Sequence, residues 1–214
     1  MMGWGGQPAC MNVGRDETGE LAAPYSSRAE QVIGMALFGL FRRKSPIREP
    51  KELADFIDEQ ASSFLHESSE ASRWQVYPLG LAMMGEVVDA MLRPHAGTQK
   101  RALADEMIDL VLGVFDRHPV PAAIGQHAWG DARSELAQRL DQISTQPPKS
   151  VSDIPAQYVK RYVKAMSVQD GKGPADEGAT LEALKADLVK AQQDLEGRVD
   201  APAMAKALLA TGEG

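Results

Sequence analysis

Apolar residues recur at three- and four-residue intervals through the middle of the chain, the spacing typical of amphipathic helices. Prolines and short polar stretches divide this region into five patterns. They cover residues 50–65, 72–92, 98–115, 125–144 and 153–166. No run alternates polar and β-branched residues as half-buried strands do. The spacing therefore predicts an all-α fold, a bundle of five or six helices without a sheet.

Helix ends are marked by residues that favour capping. Ser72 with Gln75 has the spacing of a capping box, Thr98 is placed to cap the third helix, and Asp153 precedes the fifth. Pro78 lies within the second pattern and is expected to kink or restart that helix.

Two further helical patterns follow a stretch, residues 167–179, whose Gly and Pro content predicts a linker. The first has a spacing close to a coiled-coil seam, but it is too short to hold alone. Its apolar positions are Leu181, Leu184, Leu188, Ala191 and Leu195. Asp200 is expected to cap the last helix, with Pro202 in its first turn. Residues 180–214 are therefore predicted to be a helical tail loosely attached to the bundle of residues 51–166.

The first 34 residues contain many Gly and Pro residues and no sustained periodicity, which predicts a disordered leader. Met35 followed by Ala36 is a second plausible start position. This gives the hypothesis that residues 1–34 are not translated in the cell. Detection of a native peptide from upstream of Met35 would contradict it.

Residues 35–50 form an apolar segment that runs into positive charge. Seven of its residues are the predicted contact with a membrane or a partner: Leu37, Phe38, Leu40, Phe41, Arg42, Arg43 and Lys44. Basic residues near an anionic surface contribute on the order of 1 kcal/mol each, and a short apolar anchor adds reversible binding. The alternative is that Phe38 and Phe41 pack into the helical body.

Charge and composition argue against three classes of protein, namely nucleic-acid-binding, membrane-spanning and secreted proteins. Among 214 residues the net charge is −7, so an acidic chain repels a phosphate backbone and general nucleic-acid binding is not expected. The apolar run 32–41 is about half of the roughly 20 residues that span a bilayer. Its positive charges follow it, whereas in a secretory signal they come first. We therefore expect a cytoplasmic protein, with the inner membrane as the surface for peripheral association.

Candidate catalytic and metal-binding residues are few. Cys10, the only cysteine, lies in the leader, and no serine has the flanking glycines of a nucleophile elbow. Ser134 near His127 is the one local serine–histidine pair. No histidine has an acid three residues before it, as di-metal helical bundles require. His95 and His118 are expected at helix ends, where they favour the dipole; a site shared by His118 and His127 stays open. We predict no catalytic set, no cofactor and no metal.

Several side chains have a structural and a functional interpretation. Glu86 with Asp89, and Asp105 with Asp109, lie one turn apart, as paired carboxylates in acid–base or cation sites do. Since Arg93 and Arg101 are placed to pair with Asp89 and Asp105, we expect solvated helix faces instead. Four methionines are expected in the core, with an adaptable binding groove as the alternative: Met83, Met84, Met91 and Met107.

An aromatic and basic helix has the same two interpretations. Its tyrosines and charges are Tyr158, Tyr162, Lys160, Arg161 and Lys164. We expect a packed tyrosine pair beneath a solvated basic face; the alternative is contact with an acidic partner or nucleic acid.

Several stretches together resemble a small family of alphaproteobacterial cytoplasmic proteins of unassigned role. They are Arg42-Arg43-Lys44, Leu53-Ala54-Asp55-Phe56-Ile57-Asp58, Ser72-Arg73-Trp74, Tyr77-Pro78-Leu79-Gly80-Leu81-Ala82, Leu92-Arg93-Pro94-His95-Ala96-Gly97 and Val114-Phe115-Asp116-Arg117. The resemblance covers roughly residues 35–150, and some members carry an automatic esterase label. The stretch between Leu65 and Trp74 is shorter here, and the region after Met166 differs. The resemblance supplies no catalytic residue to carry over.

These observations favour a non-catalytic helical interaction module with an unidentified protein partner, peripherally membrane-associated through residues 35–44. An esterase-type hydrolase is the alternative that the resemblance implies. A heme or lipid carrier that uses Met and His side chains is a third hypothesis, which an absorbance spectrum or extract mass spectrum of the purified protein tests.

Overall fold

Seven α-helices make up most of the computed structural model within the residues it describes, 45–64, 70–122, 124–167 and 176–212. They are α1 Pro50–Ser63, α2 Glu70–Leu92, α3 Lys100–Asp116, α4 Gln126–Thr145, α5 Val159–Ser167, α6 Glu177–Glu196 and α7 Ala201–Thr211. Arg93–His95 and Val151–Gln157 are 3₁₀ segments. In these ranges the only extended pairing is a single β-bridge between Ile47 and Val199. The predicted all-α fold is confirmed.

Helix α2 lies at the centre of the fold and packs against each of the other six α-helices. A helix that neighbours cover on all sides is buried nearly all round and is mostly apolar, as the second half of α2 is. Its buried apolar residues are Val76, Tyr77, Leu81, Ala82, Met83, Met84, Val87, Val88 and Leu92. Met107 of α3 is buried as well, and Met91 is partly buried against the same core. The methionines are therefore core residues, as predicted.

A glycine brings the first two helices together. A Cβ atom at Gly80 of α2 would lie 2.9 Å from the carbonyl oxygen of Ala61 in α1 and 3.2 Å from its Cα. Because only glycine leaves room for that backbone, α1 can cross close to α2 at this point. Helix α2 continues through Pro78, so the predicted restart does not occur.

The last two helices are part of the core, and the predicted loose tail is wrong. Four positions of the near-heptad in α6 are buried: Leu184, Leu188, Ala191 and Leu195. Met204, Ala205 and Leu208 of α7 are buried in the same hydrophobic cluster. Helix α6 packs against α2, α5 and the Val151–Gln157 segment, and α7 packs against α1, α2 and α3. The leucine seam thus finds its partner within its own chain.

The end of the predicted apolar-basic segment also belongs to the folded body. Ile47 is only 4% exposed, and its N–H donates to the carbonyl of Arg198 at 2.9 Å. Glu49 forms a capping box with Glu52 at the start of α1. Of the predicted linker, residues 168–175 lie outside the described part of the chain.

The other helix ends agree only in part with the predictions. Asp200 caps α7 as predicted, accepting from the N–H of Ala203 at 3.1 Å. Helix α2 begins before Ser72, and Gln99 occupies the N-cap position of α3 in place of Thr98. Asp153 lies in the 3₁₀ segment, and α5 begins only at Val159.

Candidate functional site

The predicted contact segment, Leu37 to Lys44, lies outside the described residues. The described chain begins with Ser45 and Pro46, which are both exposed, before Ile47 enters the core. This end of the body is therefore at its surface. Among the helices in the described ranges, none has the length and apolar character that crossing a bilayer requires.

A groove lies between α4 and α5, beside the first half of α2, and we call it the α4–α5 groove. Its floor is formed by Pro78, Leu79, Ala82, Ala132, Leu136 and Tyr158. Its rim is formed by Gln75, Glu135, Gln138, Arg139, Gln142 and Arg161. The residues from α4 recur at three- and four-residue spacing, so one face of that helix supplies them. The floor, together with Gln75 and the charged rim residues, lines a cavity of about 60 Å³. A second cavity of about 320 Å³ lies along the rim and shares Glu135, Arg139 and Arg161 with the first.

Two guanidinium groups set the charge of the groove. The Arg161 guanidinium forms an ion pair with Glu135 across the rim. The Arg139 guanidinium carbon lies 5.1 Å from the centre of the Tyr158 ring. Such a cation–π contact is worth about 0.5–2 kcal/mol and leaves the N–H donors of arginine available. Within the described part of the chain, Arg139 has no carboxylate partner.

Tyr158 connects the groove with a buried carboxylate beneath it. Its hydroxyl donates to Oε2 of Glu86 at 3.3 Å, and burial raises the pKa of the Tyr158 phenol, with the charge of Glu86 adding to the rise. The phenol therefore stays a protonated donor. Gln157 donates to the same Glu86 oxygen at 2.8 Å, and Lys149 lies 3.2 Å from Oε1. These contacts fix the position of the Tyr158 ring on which Arg139 lies.

Glu86 and Asp89 correct the prediction of a solvated face, since they are 3% and 8% exposed. Both lie on α2, whose central position buries even its polar side. Asp89 pairs with Arg93 as predicted, and Arg93 also donates to the carbonyl of Ile143 at 2.9 Å. Burial raises the pKa of the Asp89 carboxyl, and it outweighs the opposing effect of Arg93. The second pair behaves as predicted: Asp105 is half-exposed and bound to Arg101 at 2.9 Å.

A second polar cluster joins α1, α2 and the end of α3. The Tyr77 hydroxyl donates to Oδ1 of Asp58 at 2.6 Å, and His118 Nε2 lies 2.9 Å from that hydroxyl and 3.1 Å from the same carboxylate oxygen. Burial raises the pKa of the Tyr77 phenol, and its hydrogen bond to Asp58 raises it further. Tyr77 is thus a protonated donor. Trp74 packs edge-on against both Tyr77 and His118, and Trp129 packs edge-on against Trp74.

His118 lies at the end of α3 as predicted, directly after the C-cap Arg117, but the partner of its side chain was not predicted. Its imidazole lies against Asp58, sixty residues earlier in the chain, and not at helix carbonyls. His127 is 92% exposed and lies 3.2 Å from Asp131, one turn along its own helix. The two histidines thus bind different carboxylates. The part of the chain that the structure describes holds no cluster of three or more His, Cys, Asp or Glu residues suited to a metal ion.

The local serine–histidine pair is not brought together. Ser134 donates its hydroxyl to the carbonyl of Gly130 at 2.9 Å. It lies seven residues from His127 on α4, which is about 10 Å along a helix. The esterase activity that the resemblance implies remains a prediction. An assay of model-ester hydrolysis tests it, and a rate above that of buffer alone would support it.

The aromatic and basic helix has the predicted arrangement. Tyr158 is buried, and Tyr162 is partly buried with its hydroxyl donating to the carbonyl of Phe64. Lys160, Arg161 and Lys164 are exposed on α5. The residues that sequence reasoning missed are those of α4, namely Gln138, Arg139 and Gln142. Their shared helix face was readable, but its position opposite α5 depends on tertiary packing.

Comparison with protein-family models, with curated proteins and with solved structures found no match to this chain.

Proposed function

We propose that this protein is a non-catalytic helical interaction module that binds a protein partner and associates peripherally with an anionic membrane through residues 35–44. The observation that carries the binding role is Arg139, a partly buried cation at a surface groove that lies on the Tyr158 ring and has no carboxylate partner among the described residues. The buried carboxylates of the described body are engaged with other side chains, Glu86 with Gln157 and Asp89 with Arg93. The chemistry is thus arranged for recognition at the surface.

The membrane role is supported by charge and by the position of the chain end. Arg42, Arg43 and Lys44 directly precede Ser45, at which the described body begins on its exposed surface. At about 1 kcal/mol each, three basic residues increase the constant for partitioning from water to an anionic membrane on the order of 100-fold over a segment without them. Reversible binding of this strength fits a peripheral protein.

Vesicle flotation tests the membrane role with the full chain, because a truncation at residue 51 would remove the core residue Ile47. The comparison is between wild type and a variant with Arg42, Arg43 and Lys44 replaced by Glu, on vesicles with and without phosphatidylserine. We expect wild type to float only with anionic vesicles and the variant to remain at the bottom.

A matched variant with Lys160 and Lys164 replaced by Glu removes positive charge from α5 without touching the segment, and we expect it to float as wild type does. Equal flotation of wild type and the segment variant would refute the membrane role. Loss of flotation in the α5 variant would show that the folded body contacts the membrane, and it would also refute the membrane role of residues 35–44.

A further inference from the structure

The α4–α5 groove combines three features that define what it can bind. The floor is apolar, and the cavity that it lines together with the rim has a volume of about 60 Å³. A water-sized group takes about 10–15 Å³ on this measure, so the cavity has room for about four to six such groups, enough for the four carbon atoms of a leucine side chain. The rim holds Arg139, without a carboxylate partner among the described residues. Three glutamines, Gln75, Gln138 and Gln142, supply amide donors and acceptors around it.

We propose that the α4–α5 groove binds a short segment of a partner protein that carries an aliphatic side chain next to a carboxylate. The aliphatic side chain enters the floor between Leu79, Ala132 and Leu136. The carboxylate accepts from the Arg139 guanidinium, and the glutamines bond the peptide backbone. This inference rests on the proposed interaction role and specifies its surface and its ligand.

Charge complementarity favours a segment with few charges over a polyanion. Arginine binds carboxylates with a planar pair of N–H donors, which matches a single carboxylate at Arg139. Glu135 lies in the same rim and already neutralises Arg161. A nucleic acid or a phosphorylated lipid headgroup would bring its charges against the Glu135 carboxylate. The floor is also too small for an acyl chain.

Fluorescence anisotropy tests the proposal with the full chain and three labelled peptides of equal length. In the first, two leucines are flanked by glutamates; in the second, the glutamates are replaced by lysines; in the third, the leucines are replaced by serines. We expect only the first peptide to bind. Its affinity should fall as salt is raised, because salt screens the partly exposed ion pair.

Two variants alter the groove and one serves as a control. Arg139→Gln removes the charge, and Ala132→Leu fills the floor. Arg139→Gln is expected to weaken binding by about tenfold or more, since a hydrogen bond to a charged group is worth about 1.5–3 kcal/mol. Ala132→Leu is expected to weaken binding because its larger side chain occupies the space of the bound aliphatic group. Arg133→Gln removes the same charge six residues earlier on α4, where Arg133 is bound to Asp116 at 2.7 Å outside the groove. We expect this control to bind as wild type does.

Binding of the acidic peptide that is equal in all four proteins, or equal for all three peptides, would overturn the proposal. Displacement of the peptide by phosphatidylserine vesicles in an Arg139-dependent manner would assign the groove to lipid and also overturn it. Flotation separates this proposal from the membrane role, because Arg139→Gln is expected to float as wild type does. If the peptides fail while flotation persists, only the groove assignment is lost.

Discussion

Replacement of Gly80 by alanine tests the close crossing of α1 and α2 on which the central position of α2 depends. The added Cβ would meet the carbonyl oxygen of Ala61 at 2.9 Å and the Phe64 ring at 3.3 Å. The obstacle is largely backbone, so α1 itself has to shift. Overpacking of this kind costs about 1–3 kcal/mol. Alanine regains about 1 kcal/mol over glycine in a helix interior. The difference is a net destabilisation of up to about 2 kcal/mol for Gly80→Ala.

Two other helical glycines give matched controls. A Cβ at Gly85 would lie 2.8 Å from Cδ2 of Leu140, the end of a side chain that can turn aside. Its rotamer cost of about 0.5–1.5 kcal/mol nearly cancels the gain in helix propensity. A Cβ at Gly113 would have no neighbour within 4 Å. We therefore expect Gly85→Ala to be near neutral, and Gly113→Ala to be more stable than wild type by up to about 1 kcal/mol.

Urea unfolding followed by far-ultraviolet circular dichroism measures these differences. In thermal unfolding, 1 kcal/mol corresponds to about 2–4 °C for a domain of this size. The expected order of stability is Gly113→Ala, then wild type with Gly85→Ala, then Gly80→Ala. If Gly80→Ala were as stable as Gly113→Ala, α1 would not approach α2 at this point, and the arrangement of the first two helices would be refuted.

Three further predictions concern the core and its buried polar groups. Leu188→Ala in α6 is expected to lower the free energy of unfolding in urea by about 2–5 kcal/mol because Leu188 is fully buried. A decrease below about 0.5 kcal/mol would instead support a loosely attached tail. Tyr77→Phe removes a hydrogen bond to the Asp58 carboxylate and is expected to cost about 1.5 kcal/mol, near the lower end for charged acceptors because Asp58 is partly exposed; an unchanged unfolding midpoint would contradict the cluster. Asp89→Asn and Asp116→Asn are expected to change the pH dependence of the unfolding free energy with opposite sign. Because the pKa of Asp89 is raised in the folded protein, its carboxyl contributes most to the free energy of unfolding at pH values below 3.8, its ordinary pKa. This contribution is lost as the pH rises through the pKa of the folded protein. The pKa of Asp116 is lowered in the folded protein, chiefly by its hydrogen bond to Arg133. Its contribution to the free energy of unfolding is therefore present above pH 3.8 and is lost as the pH falls through the pKa of the folded protein. The stability difference between wild type and variant should therefore shrink with rising pH for Asp89→Asn and grow for Asp116→Asn; slopes of the same sign would contradict the assignment.

Local sequence patterns predicted the helices well because helix formation depends on spacing within a few turns. Apolar spacing predicted six of the seven α-helices of the described body, and Asp200 with Pro202 two residues later predicted the start of the last one. The core placement of the methionines followed from the same periodicity. What these patterns share is that the deciding contacts lie close together in sequence.

Long-range packing explains the predictions that failed. The leucine seam of α6 predicts some partner, but sequence spacing does not identify α2 and the Val151–Gln157 segment as that partner. Asp89 and Arg93 are charges four residues apart, of the kind that usually lies on a helix surface. Only the central position of α2 buries the polar side on which Glu86 and Asp89 lie. His118 likewise follows a helix end, yet its partner is Asp58 on a helix far away in sequence. The α4–α5 groove depends on the same kind of information, since its two walls are separated by the 3₁₀ segment.

The most direct test of the binding surface is nuclear magnetic resonance of the full chain labelled with ¹⁵N at arginine, titrated with the leucine–glutamate peptide. The Nε–H signals of Arg139 and Arg161 report on the groove, and that of Arg133 reports on a part of α4 outside it. We predict that the Arg139 and Arg161 signals shift and saturate together while the Arg133 signal stays in place. Saturable shifts confined to other arginines, or no shift at Arg139, would contradict the assignment of this groove as the site of recognition.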